Sequence, residues 1–400
     1  MPGGTVPKTA APQSGLHLAG RTPTAVIYFL SIVSAILLAA TAFVLATWNH
    51  FYPARDFTRW EILAPALTLA FVATTVLGRG WSHFLIRWVY RVSAVWLGFL
   101  NFAFFAAASA WIFAAAASWL NWPIRSETIA KTCLDVALLA ASYGLLNANR
   151  LRVTRVTVKL PNLPPAWQGR TAVLVTDLHL GNVRNERFLR RIVDQIEQLQ
   201  PQAVFISGDM FDGTQADFSR FVAPLKQLVR PAGIYFVSGN HEEFGERTPF
   251  LEAVRQTGVR ILHNEMVAVD GLQIAGVHDG EPHDPQVYRT LLQNMKLDGR
   301  RASVLLAHQP AGLPIAAAAG ISLQLSGHTH GGQIWPWSWV AARVHGRFNY
   351  GLNRHETLQV LTSSGAGTWG PPLRVGTKSE VVLIRFETRM DCNPGISVLE

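Results

Sequence analysis

From Thr22 to Ala54 the chain carries no Asp, Glu, Lys or Arg, and that run constrains the fold more than any other feature. Its apolar centre, residues 25–48, is long enough to cross a bilayer core of ~30 Å. A signal peptide has an apolar region of only ~7–15 residues and a small-residue cleavage site, so the run reads as a retained transmembrane helix. Further spans read at residues 62–78, within 93–122 and at 132–147. The last is the weakest, because Asp135 sits near its start; Lys131, four residues earlier, can pair with it on one helix face. A soluble helical domain would have to hide three uncharged runs of this length. Most tryptophans of this half, among them Trp48, Trp60, Trp81, Trp119 and Trp122, lie near span ends, where an interfacial aromatic belt belongs.

Composition supports the division. Residues 1–150 hold ten Lys/Arg and four Asp/Glu, whereas residues 151–400 hold twenty-five and twenty-two, with ten of the thirteen histidines. The overall 15% charged residues falls below the ~25% of soluble domains. With four spans and an inside N-terminus, nine Lys/Arg between Lys8 and Lys159 face inside. Only Arg55, Arg59, Arg125 and Lys131 face outside, so the positive-inside rule places the second half in the cytoplasm. The net charge of +9 includes no dense basic run, so a nucleic-acid partner is not expected. Two cysteines, Cys133 and Cys392, make neither a disulfide framework nor a thiolate zinc site.

The expected organisation is a tail (1–21), a transmembrane region of about four helices (22–149), a linker and first strand (150–170), an α/β domain (171–388) and a tail (389–400). Pro161, Pro164 and Pro165 mark the linker as stiff. Beyond it apolar strand-like runs at 172–176, 203–207, 233–237, 272–277, 303–307 and 323–326 alternate with helical patterns at 185–199, 218–229, 249–257, 285–295 and 313–319. Strands at 358–362 and 380–386 close the series. Such alternation gives a sheet covered by helices.

Polar ligand residues follow these strands directly: Asp177-Leu-His179, Gly208-Asp209, Gly239-Asn240-His241-Glu242, His308, and Gly327-His328-Thr-His330. The C-terminal ends of strands are where α/β sheets bind ligands, so each strand delivers one or two donors to the same rim. One such tail would mean little; five in series point to metal. A bridging carboxylate can hold two divalent cations ~3.5–4 Å apart, and imidazoles with carboxylates suit zinc, iron and manganese.

The five blocks, in this order, resemble the calcineurin-like metallophosphoesterase superfamily, over about residues 171–386. The run from Gly327 to Gln333, with Ser364-Gly-Ala-Gly367 and Gly370-Pro-Pro, is similar to a bacterial membrane-anchored subgroup. The resemblance implies a multi-domain chain: transmembrane α-helices, then a four-layer α/β/β/α sandwich. It implies two divalent cations (manganese, iron or zinc), one on Asp177, His179 and His330, the other on Asn240, His308 and His328, with Asp209 bridging. His241 and Asp209 would be catalytic, His241 over the phosphate as charge stabiliser or proton donor. Glu242 would support the loop, and a bridging hydroxide would attack phosphorus in line. The expected partners are the lipid bilayer of the inner membrane and a phosphoester, phosphodiester or pyrophosphate substrate.

The motif does not fix the leaving group. The loop Ile334-Trp-Pro-Trp-Ser-Trp-Val340 could face lipid or form a packed lid. Arg343, Arg347 and Arg374 are candidates for a phosphate or an anionic headgroup, or ordinary solvated charges. Alternatives to a general phosphoesterase are an enzyme like the UDP-2,3-diacylglucosamine pyrophosphatases, a non-catalytic metal-loaded receptor or scaffold, and an envelope phosphatase on the outer face. His278 and Asp212 are candidates to back up the ligands, whereas His263, His283, His345 and His355 read as loop or surface residues.

Overall fold

The computed structural model describes residues 23–389, apart from 57, 215–216 and 244–246. The expected N-terminal tail, Cys392 and most of the C-terminal tail lie outside the described residues.

Four helices are long and apolar enough to cross a membrane: α1 (Pro23–Phe51), α2 (Thr58–Leu77), α3 (Phe84–Trp119) and α4 (Ser126–Asn149). The weakest sequence signal thus belongs to a full 24-residue helix. Lys131 Nζ meets Asp135 Oδ2 at 2.6 Å, so the pair that lowers its apolarity is satisfied on the helix itself. Polar side chains lock the bundle internally, as expected where lipid gives no hydrophobic drive between helices: Thr68 bonds Thr41 and accepts from Trp96 Nε1, each at 3.0 Å. Asn49 near the end of α1 donates to Glu61 near the start of α2. The start of α1 therefore lies on the same side as the end of α2.

Beyond the bundle come two six-stranded sheets. The first is built from β1 (Leu151–Leu160), β2 (Thr171–Val175), β3 (Ala203–Ser207), β4 (Ile234–Val237), β5 (Arg260–Ile261) and β12 (Ser379–Thr388), in the order β1-β12-β2-β3-β4-β5. The second uses β6 (Glu265–Val269), β7 (Leu272–Gly276), β8 (Ser303–Leu306), β9 (Leu323–Ser326), β10 (Gly351–His355) and β11 (Leu358–Thr362), ordered β10-β11-β9-β8-β7-β6. Helices α5 (Glu186–Leu199), α6 (Phe218–Val222) and α7 (Arg247–Arg255) flank the first sheet; α8 (Pro285–Asn294) and α9 (Leu313–Ala318) flank the second.

Three apolar layers follow from this order. Leu174, Phe205, Leu306 and Leu325 meet between the sheets. Phe188, Ile192 and Ile196, four residues apart on α5, pack with Val204 and Ile206 outside the first sheet. Tyr288, Leu292 and Ala316 cover the second with Leu305 and Val360. The result is the expected α/β/β/α sandwich. Two local expectations differ. The stretch expected as a stiff linker packs into the core: Trp167 is fully buried, its ring 5.3 Å from that of Phe386. The helix expected at 218–229 stops at Val222 and continues as a 3-10 turn, Ala223–Gln227, with Pro224 inside, where the missing N–H cannot carry the α-helical bond.

The two halves are packed together. Gly98 of α3 and Gly144 of α4 leave room for Leu373, which is fully buried; a Cβ on Gly98 would overlap Leu373 Cδ1. Asn147 donates to the carbonyls of Arg374 and Thr377, both at 2.9 Å. Arg91 near the start of α3 donates to Asn182 O at 2.6 Å, and Arg184 donates to Ala148 O and Asn149 Oδ1. Thus the start of α3 and the end of α4 meet the sandwich at the same end of the bundle.

Candidate metal centre

Every proposed ligand leaves the C-terminal end of a strand. Asp177 and His179 follow β2, Asp209 follows β3, Asn240 follows β4, His308 follows β8, and His328 and His330 follow β9. All five of Asp177, His179, Asp209, His328 and His330 hold φ between 47° and 68°, a left-handed conformation that is uncommon outside glycine. Such strain persists where surroundings over-determine it and collects at functional sites. Neighbouring glycines make the crowding tolerable. Gly208 has φ 81°, and a Cβ there would run into the His308 ring. A Cβ on Gly365, also at φ 81°, would meet Asp177 Cβ at 2.6 Å.

The donors gather into two groups, Asp177–His179–His330 and Asp209–His308–His328, the ligand atoms of each lying within 4.8 Å of one another. His179 Nε2 faces His330 Nε2 at 3.0 Å, and His330 Nε2 lies 3.4 Å from Asp177 Oδ1. In the second group His328 Nδ1 is 2.8 Å from Asn240 Oδ1. His308 Nε2 comes to 3.1 Å from Asp209 Oδ2, yet without the angle of a hydrogen bond, and remains buried with no hydrogen-bond partner. Donor atoms gathered this closely, with His308 Nε2 left without a hydrogen-bond partner, suit a shared cation. His308 Nδ1 donates to the Ser207 carbonyl at 2.8 Å, which leaves Nε2 as the donor atom for a metal. Two carboxylates, four imidazoles and an amide oxygen fit divalent manganese, iron or zinc.

Electrostatics agree. Burial, with His241 the next contributor, holds the His179 imidazole well below its usual range; burial and then His179 do the same for His330. Burial and His308 take His328 down to about 3. These three shifts favour the neutral ring, the form that binds metal; burial would lower the fourth imidazole, His308, but facing Asp209 holds it well above its usual range. Burial would raise Asp209, but facing His308 and His241 hold it well below the carboxylate range. Burial pushes Asp177 up to about 6.

His241 is also close, sharing a 4.8 Å group with His179 and Asp209. Its Nδ1 donates to the Asp212 carbonyl at 3.1 Å, and its backbone N–H donates to Asp209 Oδ1 at 2.9 Å. Glu242 accepts from the amides of Asp209, Gly239 and Phe211 at 2.9, 2.6 and 2.9 Å, so it ties the β3 tail to the β4 tail. Asp212 accepts from the Asn182 and Thr214 amides. His278 stands farther back, its Nε2 3.4 Å from Ser238 Oγ.

The family model described as calcineurin-like phosphoesterase matches residues 171–332. An uncharacterised metallophosphoesterase of Campylobacter jejuni is 32% identical over 65% of this chain and 71% of its own. The chain belongs to the calcineurin-like metallophosphoesterases. One of Aquifex aeolicus is 30% identical over 63% of this chain and 98% of its own length. A Danio rerio protein named as a transmembrane protein with a metallophosphoesterase domain is 32% identical over 65% of this chain and 64% of its own. The chain spans only 59% of a Helicobacter pylori relative.

Two residues of this metallophosphoesterase behave differently from their sequence reading. Arg374 is neither solvated nor placed for a headgroup: it is fully buried. Its guanidinium donates to the carbonyls of Ser364 at 2.6 Å, Gly367 at 2.7 Å and His330 at 3.3 Å, and lies 3.2 Å from His330 Nδ1. Burial lowers it to about 10, so it stays charged and clamps the glycine-rich strap against a proposed ligand. His345, read as a surface residue, is half-buried with its ring centre 6.1 Å from that of His328. Sequence reading missed Trp369, whose ring lies 6.0 Å from that of His241 at the mouth of the site. A lone tryptophan between two glycine motifs carried no signal of that placement.

Proposed function

We propose that the chain is an integral-membrane phosphoesterase that hydrolyses phosphomonoester, phosphodiester or pyrophosphate bonds with two divalent cations. The observation that carries this reading is the pair of three-residue donor groups, buried except for half-buried His328, with His241 grouped within 4.8 Å with His179 and Asp209. Asp177, His179 and His330 would hold one cation, Asn240, His308 and His328 the other, and Asp209 would serve both. Bound there, the cations would supply Lewis acidity, polarising a phosphoryl oxygen and lowering the pKa of water.

The chain's own residues do the rest. His241, oriented through its Nδ1–H bond to Asp212, stabilises charge on the phosphoryl group or hands a proton to the leaving oxygen. Glu242 fixes the Asp209 and Gly239 amides, and so the spacing of two ligand-bearing tails. The positive-inside count supports an inner-membrane protein with the sandwich in the cytoplasm. Membrane anchorage makes a lipid-linked phosphoester the first substrate class to try, and no nucleic-acid partner is expected.

The test is hydrolysis of bis-p-nitrophenyl phosphate and p-nitrophenyl phosphate by detergent-purified protein with manganese, with Asp209→Asn in parallel. Metal-dependent turnover, lost in the variant, is the expected result. Two metals bound with no turnover above the Asp209→Asn background would favour the receptor or scaffold reading.

A further inference from the structure

The segment expected as a tryptophan loop folds into a helix, α10 (Trp337–His345), none of whose residues is buried. Trp337, Trp339, Val340 and Val344 are 53%, 68%, 52% and 72% exposed, and Trp335 just before it 38%. Arg343 and Arg347 are exposed beside them, and no Asp or Glu occurs between Asp298 and Glu356. An aromatic, aliphatic and basic helix lying on a surface without acid matches the composition of interfacial membrane helices.

The position of α10 matters more than its composition. It begins against α3. Trp337 Nε1 donates to Asn101 Oδ1 at 2.9 Å, Asn101 Nδ2 donates to Trp335 O at 3.2 Å, and the Trp335 ring lies 5.6 Å from that of Phe105. Arg91 is the last charged residue of α3, and none follows before Arg125. Asn101 lies ten residues past Arg91, ~15 Å along the helix axis. The tryptophans therefore touch the bundle at apolar depth, beyond the arginines Arg87 and Arg91. The helix runs from there to His345, beside the proposed ligand His328.

The mouth of the site lies at the other level. Trp369 stands over His241, a Cβ on the next residue, Gly370, would meet Phe71 of α2 at 3.8 Å, and Phe71 packs 5.4 Å from Tyr90, the neighbour of Arg91. The site thus opens toward the arginine end of α3, whereas the start of α10 meets α3 farther along, beyond those arginines.

We infer that α10 is seated in the near leaflet of the bilayer and that the site takes its phosphoester from a lipid whose chains rest on Trp335, Trp337 and Trp339. The continuity of α10 with a bundle of four helices long and apolar enough to cross a membrane singles out the bilayer as occupant. The substrate half of the inference rests on the phosphoesterase reading; the seating of α10 does not.

The experiment uses the full chain with Cys133→Ala and Cys392→Ser, in vesicles of phosphatidylcholine and phosphatidylglycerol. Nitroxide labels are placed by Val340→Cys and Val344→Cys, with Val229→Cys, 79% exposed on the sandwich, as a water-facing control. Oxygen collides with labels in lipid, a nickel chelate with those in water. At 340 and 344 the oxygen-to-nickel collision ratio should exceed that at 229 at least fivefold. A ratio equal to that at 229 would overturn the seating, as would protection from both reagents, which would signal a protein covering α10. In parallel, Trp339→Ala/Val344→Ser is assayed on p-nitrophenyl hexadecyl phosphate in mixed micelles and on bis-p-nitrophenyl phosphate. The micelle-to-soluble ratio of kcat/KM should fall at least tenfold; an unchanged ratio overturns the lipid substrate. If wild type cleaves neither ester, the phosphoesterase reading fails and the spin-label result still decides where α10 sits.

Discussion

The contact between Gly98 and Leu373 gives the sharpest quantitative prediction, because it joins the helical bundle to the strap that holds His330. A methyl on Gly98 would overlap Leu373 Cδ1 and stand 3.2 Å from Leu373 Cδ2 and Pro371 Cβ. Leu373 is fully buried, so it cannot simply swing aside. Overpacking of this kind costs ~1–3 kcal/mol, of which ~1 kcal/mol is returned by replacing glycine inside a helix with alanine. Gly98→Ala alone should therefore destabilise by ~0–2 kcal/mol. Leu373→Ala removes a fully buried side chain and should cost ~2–5 kcal/mol. In the double variant the overlap disappears and the new methyl fills part of the cavity. The two losses should then fall short of additivity by ~1–2 kcal/mol, within the range of coupling between touching residues. At ~2–4 °C per kcal/mol for a domain of this size, the double variant should unfold at least ~2 °C above the additive value.

The assay is differential scanning calorimetry of the four proteins in one detergent, with manganese content measured on the same samples. Strict additivity would refute the packed contact between bundle and sandwich. Metal content should track the unfolding temperature, since Arg374 follows Leu373 directly and its guanidinium reaches His330.

His241→Ala should retain both metals by elemental analysis but lower kcat by ~10²-fold or more, the scale of a lost general acid; an emptied site would instead make His241 a ligand. Arg374→Lys keeps the charge but not the fork that reaches Ser364 O, Gly367 O and His330, so manganese affinity by titration calorimetry should drop ~10–100-fold. Manganese at 100 times its Kd should stabilise the wild type by ~2.7 kcal/mol per site; Asp209→Asn should lose most of that thermal shift, and an undiminished shift would remove Asp209 from the proposed ligand set.

How far the sequence could be read depended on the range of the interaction. Four spans were legible because a bilayer demands length and apolarity within one segment, a local property. Candidate ligands at strand ends were legible because Asp177, Asp209, Asn240, His308 and His328 each follow an apolar strand after one or two intervening residues, so one short window shows both strand and candidate donor. What escaped was decided by distant partners. β1 was legible as a strand, but its place at the sheet edge is set by β12, with which all ten of its residues pair more than two hundred positions later. Trp167 is an isolated tryptophan just after three prolines until Phe386 covers it.

Arg374 shows the limit most clearly. A lone arginine after Pro-Pro-Leu reads as solvated or phosphate-binding, because burying a guanidinium without a carboxylate is costly. The cost is offset here by the carbonyls of Ser364, Gly367 and His330, which the strap can turn inward only because Gly365 takes a φ of 81° and passes over Asp177. The Gly-Ala-Gly spacing and the arginine are thus one device, seven to nine residues apart, whose purpose is visible only with His330 in place. The same reasoning applies to α10. Its tryptophans were legible as candidates for lipid, but the choice between lipid and lid depends on Asn101 of α3, more than two hundred residues away. Asn101, the one side-chain amide within α3, ties the start of α10 to the bundle and so links the two halves of the chain.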